Sequence, residues 1–73
     1  MASHIIMDVT GDTRHEFDAT DALAVSLAEE RFRQLTRQGF RAVELVDGGG
    51  GRLLDEFTPL VEKTLFIPQL RGG

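Results

Sequence analysis

The residues with the clearest chemistry stand at the end of the chain, where Thr64 to Gly73 reads T-L-F-I-P-Q-L-R-G-G. Gly72 and Gly73 carry no Cβ, so the segment is narrow, takes unusual dihedrals and leaves its last carbonyl open to a nucleophile. A carboxylate is a poor electrophile until it is activated, for instance as an acyl-adenylate; the activated acyl group then passes to a thiol or an amine. Activation requires threading the terminus into another protein's nucleotide site. Gln69 to Gly73, when extended, reaches on the order of 16 Å, enough to cross a partner's rim. Gly72 and Gly73 are therefore the candidate site of adenylation and conjugation. Pro68, Gln69, Leu70 and Arg71 are the residues by which a partner would read the tail.

Other catalytic material is scarce. His4 and His15 are the only histidines, and His15 falls on the apolar side of a strand pattern, which suits a partly buried structural role better than that of a base. The neighbouring acids Glu29-Glu30 and Asp55-Glu56 diverge, so neither pair makes an acid/base dyad. No histidine-carboxylate group has metal-ligand spacing. Gly48 to Gly51 lacks the Gly-Lys-Ser/Thr of a phosphate cradle and is flanked by strand patterns, which makes it a hairpin tip. The chain reads as a substrate or partner of enzymes, not as an enzyme, with no metal and no bound cofactor.

Seventy-three residues make one small domain that buries only about 60% of its unfolded surface, too little for a deep catalytic cavity. There is no cysteine, which excludes disulfides and a thiol nucleophile. A net charge of −4 argues against nucleic acid, whose phosphates need a basic face. No apolar run has membrane-spanning length and no signal-peptide pattern opens the chain, so the expected location is cytoplasmic and the expected state monomeric. Met1 to His4 resembles a cloning remnant and carries little weight.

The elements that must hold the tail follow in order. His4–Thr10 alternates as a strand, with Ile5, Met7 and Val9 on one side. Gly11-Asp12 suits a tight turn, and Thr13–Ala19 alternates again, so the two make a hairpin. Thr20-Asp21 opens a helix over 22–38, although Ser26-x-x-Glu29 is a capping box that would delay the start to Leu27. Ala24, Ala28, Arg31 and Leu35 line one stripe with Leu27 and Phe32 on its flanks; Arg31 would lay its stem there with its head in water. Glu29 and Arg33 are spaced for a surface pair, and Gly39 stops the helix. From Arg31 to Arg41 there are four arginines and no acid; cations suit a helix C-terminus, and a basic docking face is the alternative. Phe40–Asp47 and Arg52–Thr58 form a second hairpin, Pro59 closes its far strand, and Thr64 opens the last strand.

This β-β-α-β-β-β order implies an α+β layer, one mixed sheet with a helix across one face. The last strand would be central, parallel to the first. The expected core is Ile5, Met7, Val9, Phe17, Ala28, Phe32, Leu35, Val43, Leu45 and Leu65 or Ile67. Residues 1–68 would be the domain and 69–73 a flexible tail. Ala42, Glu44, Val46 and Phe66, with Leu70, would then form an exposed semi-apolar docking patch near the tail.

The element order, the Thr10-Gly11 turn and the Leu70-Arg71-Gly72-Gly73 ending resemble ubiquitin and its β-grasp relatives. The likeness covers nearly the whole chain in element order and is specific in the tail. Gln69 stands where ubiquitin has an arginine read by its activating enzyme, and the segment before the last strand is shorter. Phe66-Ile67-Pro68-Gln69-Leu70-Arg71-Gly72-Gly73 also matches the F-x-P-x-(V/L)-x-G-G ending of the molybdopterin-synthase small subunit and similar bacterial sulfur carriers. The resemblance implies a bacterial-type protein modifier: an activating enzyme consumes ATP to adenylate Gly73, the acyl group passes to a cysteine as thioester, a conjugating enzyme joins it to amines of target proteins, and a peptidase reverses the bond. The alternative it implies is a sulfur carrier with a C-terminal thiocarboxylate for cofactor or tRNA thiolation. Lys63, the sole lysine, is the candidate side-chain acceptor for polymers.

Overall fold

A computed structural model describes residues 1–46 and 48–68. Gln69, Leu70, Arg71, Gly72 and Gly73, which carry the tail assignments, lie outside the described residues, as does Asp47. Five strands and one helix follow in the order β1 (Ala2–Asp8), β2 (Gly11–Phe17), α1 (Ala22–Arg37), β3 (Phe40–Val46), β4 (Gly50–Leu54) and β5 (Lys63–Pro68). They make one mixed sheet in the order β2-β1-β5-β3-β4, with α1 packed on one face. β5 lies between β1, which it joins in parallel, and β3, which it joins antiparallel, as the element order predicts.

The local chemistry explains most boundaries. Asp21 is the N-cap of α1, its carboxylate accepting from the amides of Leu23 at 3.1 Å and Ala24 at 3.3 Å, so the helix starts one turn before the Ser26 box. Gly39 takes φ +102° just beyond the Gln38 C-cap and stops it. The first turn is centred on Val9-Thr10, not on Gly11-Asp12. The Asp8 carboxylate accepts from the Thr10 amide at 2.8 Å and hydroxyl at 2.6 Å, closing the turn early. Gly50 and Gly51 belong to β4, not to the tip, and β4 ends at Leu54, well before Pro59. Pro68 ends β5 opposite Phe40; the ladder to β1 has already finished at Ile6–Phe66, so on that side its missing N–H breaks no ladder pair.

The largest departure from the sequence expectation is which face of the sheet is covered. The buried set is Ala2, Phe17, Ala28, Phe32, Ala42, Val61 and Phe66, with His4 and Thr64 as buried polar residues. Phe66 is fully buried and Ala42 is 2% exposed, so neither belongs to an exposed docking patch. Glu44 is half-buried and Val46 lies exposed beyond them. Ile5, Met7, Val43, Leu45, Leu65 and Ile67, expected in the core, stand on the opposite face, and Val9 is fully exposed in the turn. The reason is physical. β1, β3 and β5 carry apolar residues on both sides, while one helix covers only one. Phe17, Phe32, Phe57 and Phe66 meet under α1 with ring centroids 5.7 to 6.3 Å apart, and small Ala28, Ala42 and Ala2 let the layers approach. On α1, Val25 packs inward and Leu27 is exposed. Ala2 and His4 are buried residues of β1, so the stretch from Ala2 is part of the sheet, while Met1 is exposed.

Candidate functional site

The root of the tail is Pro68, and the sheet face that α1 leaves open begins beside it. Strand register sets Arg14, Ile5, Leu65, Val43 and Leu53 side by side in one row across all five strands. Ile67 stands next to Arg41, Met7 next to Asp12, and Leu45 next to Gly51 on that face. Leu53 is 58% exposed, Met7 and Leu45 just under 40%, and Ile5, Val43, Leu65 and Ile67 are half-buried by their neighbours. Contiguous exposed apolar surface is what interaction sites are built from, which makes this face the candidate site. Arg14 and Arg41 flank it, and Lys63 lies exposed at the start of β5 beside a shallow hollow lined by Leu45, Val46 and Glu62.

The patch expected from the sequence has the parity of Ala42 and Phe66, which are buried; the uncovered apolar residues have the other parity. The signal available was the run of apolar residues at adjacent positions in β1, β3 and β5: with a single helix, one set has to remain uncovered. Among the described residues, no group of three His, Asp or Glu side chains is placed to share a metal ion. No helix among them is long and apolar enough to cross a membrane.

The titratable groups with shifted behaviour sit on the helix side. Burial pushes the His4 imidazole from 6.5 down to about 4, with the Arg31 guanidinium and His15 adding to the shift. Burial and Arg31 likewise lower His15. His15 is half-exposed opposite His4, consistent with the structural part read from the sequence. Desolvation also lowers Arg31, whose Nη1 is buried without a partner, so its head is not wholly in water as the stripe pattern suggested. The Thr10 and Thr20 hydroxyls and amides hold the Asp8 and Asp18 carboxylates below the usual range in two exposed turns. The Glu29–Arg33 pair forms at 3.1 Å on the outer face of α1, where solvent screens it. None of these groups stands at the root of the tail.

Comparison of the chain with protein-family models, with curated proteins and with solved structures finds no match. The functional assignment therefore rests on the residues of this chain and their placement.

Proposed function

We propose that this protein is a ubiquitin-like modifier of β-grasp type whose working group is the Gly73 carboxylate. The observation that carries the reading is the Leu70-Arg71-Gly72-Gly73 ending placed directly after the central strand. The strand order β2-β1-β5-β3-β4, with β1 and β5 parallel and one helix on one face, supports the β-grasp assignment. In the first step the carboxylate attacks the α-phosphate of ATP held by an activating enzyme, and pyrophosphate leaves. A cysteine thiolate of the partner then displaces AMP and forms a thioester. Finally, an amine of a target displaces that thiolate, leaving an amide at Gly73 and a free thiol. This chain supplies the acyl group and its presentation; the enzymes supply the nucleotide site, the thiol and the reversal by peptidase.

The open sheet face around Leu65, Val43 and Leu53 is the docking surface assigned to the activating enzyme. It is apolar, lies on the strand that leads into the tail, and is flanked by Arg14 and Arg41. The second reading is a sulfur carrier, favoured by Phe66, Pro68, Leu70 and Gly72-Gly73 standing in the register of that family's ending. There a sulfide-level sulfur displaces AMP from the adenylate and leaves a thiocarboxylate at Gly73. Arg71 adds a recognition charge that typical sulfur carriers lack, and so favours the modifier. ATP–pyrophosphate exchange with an adenylating enzyme from the same cells tests the shared first step. The full chain should support exchange, while loss of Gly72-Gly73 or Gly73→Ala should stop it. Unchanged exchange without the two glycines overturns both readings.

A further inference from the structure

Beneath α1, three basic side chains lie together with no acid between them. His4 of β1 is 2% exposed and stands directly opposite His15 of β2. It is enclosed by Phe66 of β5, Phe17 of β2 and Phe57 of the β4–β5 connection, with ring centroids at 5.0, 5.1 and 6.0 Å and near-perpendicular planes. Its Nδ1 is buried with no hydrogen-bond partner. Arg31 reaches the same place from α1, and its Nη1 is also buried and unpartnered. The charges acting on His4 are those of Arg31 and His15, both of one sign. β5 offers only the uncharged Thr64 opposite it, and no carboxylate of β1, α1 or the connection acts on it. An aromatic enclosure with an unpaired cation at its edge accepts a neutral imidazole and opposes an imidazolium.

We propose that the His4–His15–Arg31 group is an acid-operated latch: proton uptake by the buried His4 sets an imidazolium against the half-buried Arg31 and loosens α1 from the β1–β2 hairpin. The three residues come from β1, β2 and α1, and Arg31 acts on both histidines, so movement of α1 away from the hairpin relieves the charge repulsion and opens the unpaired nitrogens to water. The sign follows from the shift. His4 is held below its unfolded value, so the unfolded chain binds the proton more tightly. The stability held at neutral pH is lost as pH falls through 6.5 and continues to fall to about 4. Between pH 7 and pH 5 the folding equilibrium constant should drop about 20-fold from this group. Asp8 and Asp18 contribute only below their ordinary value of 3.8, outside that window.

Urea unfolding of the full chain from pH 7.5 to pH 4.5 measures the loss. His4→Leu should remove most of the slope and leave the smaller part that the lowered His15 contributes in the same window, and Arg31→Met should weaken the pH dependence while keeping some of it. Because His4→Leu removes a core ring and can fail to fold, the ring C–H resonances of His4 in the unaltered chain are titrated as well. A His4 midpoint below 5, with α1 and β2 amides losing exchange protection before those of β3, supports the latch. A midpoint at or above 6.5 would mean that the three phenyl rings stabilise the imidazolium, and it overturns the proposal. A flat stability profile in the unaltered chain overturns it equally.

Discussion

Phe66→Ala and Leu65→Ala remove side chains from adjacent residues of one strand that face opposite sides of the sheet. Phe66 is fully buried, meets His4 at 5.0 Å and Phe32 at 5.7 Å, and joins β5 to α1. Truncating it leaves a phenyl-sized void among rings that cannot collapse into it, which costs roughly 3–5 kcal/mol. A domain of this length has about 4–11 kcal/mol in all, so the variant loses a large part of its stability. The melting temperature should fall by roughly 10–40 °C, and the urea midpoint should fall with it. Leu65 points to the open face and is already partly in water, between Ile5 and Val43. Its truncation should cost about 1.5 kcal/mol or less, because part of its surface is never withdrawn from solvent. Paired thermal and urea unfolding curves of the two variants provide the assay. If Leu65→Ala costs as much as Phe66→Ala, the covered face is the other one, and both the core and the docking surface assigned here are wrong.

Asp21→Ala should lower stability by about 1 kcal/mol, because two amides of the first helical turn lose their acceptor, and Asp21→Asn should restore most of it. Gly51→Ala should destabilise by roughly 1–3 kcal/mol in urea unfolding: a Cβ there meets Val43 Cγ1 at 2.9 Å, and valine has little rotamer freedom with which to yield. A neutral result would show that β3 and β4 can yield at that diagonal contact. Lys63→Arg should abolish polymers linked through a side chain of this protein, since Lys63 is its only lysine. Persisting polymers with Gly73 joined to a side chain would refute the acceptor assignment.

The sequence made the order and number of elements legible because the punctuation is strong. Asp21 and Gly39 bound a Gly- and Pro-free helix, and glycines and prolines separate the strands. The parallel partnership of β1 with β5 also follows from element order. What alternation could not decide was the covered face. Ile5 and Ile6, Ala42 and Val43, and Leu65, Phe66 and Ile67 are apolar at successive positions, so either parity offers a plausible core. Tertiary packing decided it through the four phenylalanines beneath α1. That choice converted Val43 and Leu65 from core to candidate docking surface and removed Ala42 and Phe66 from it. Turn chemistry accounts for the smaller shifts: Asp8 and Thr10 close the first turn early, and Gly50-Gly51 prolong β4. His4 escaped notice because a terminal Met-Ala-Ser-His carries no periodic signal of its own. Its burial depends on three phenyl rings from distant parts of the chain. The assigned chemistry at Gly73 is legible only in residue identity, since Gly72 and Gly73 lie outside the described residues.

The most direct measurement is peptide and intact-mass analysis of the protein recovered from its native cells with its neighbouring enzymes present. The account predicts peptides in which the Gly73 carbonyl is joined to lysines of other proteins. Replacement of a terminal oxygen by sulfur, with no such peptides, would contradict the modifier and establish the sulfur carrier; a Gly73 altered in neither way would contradict the activation of this carboxylate altogether.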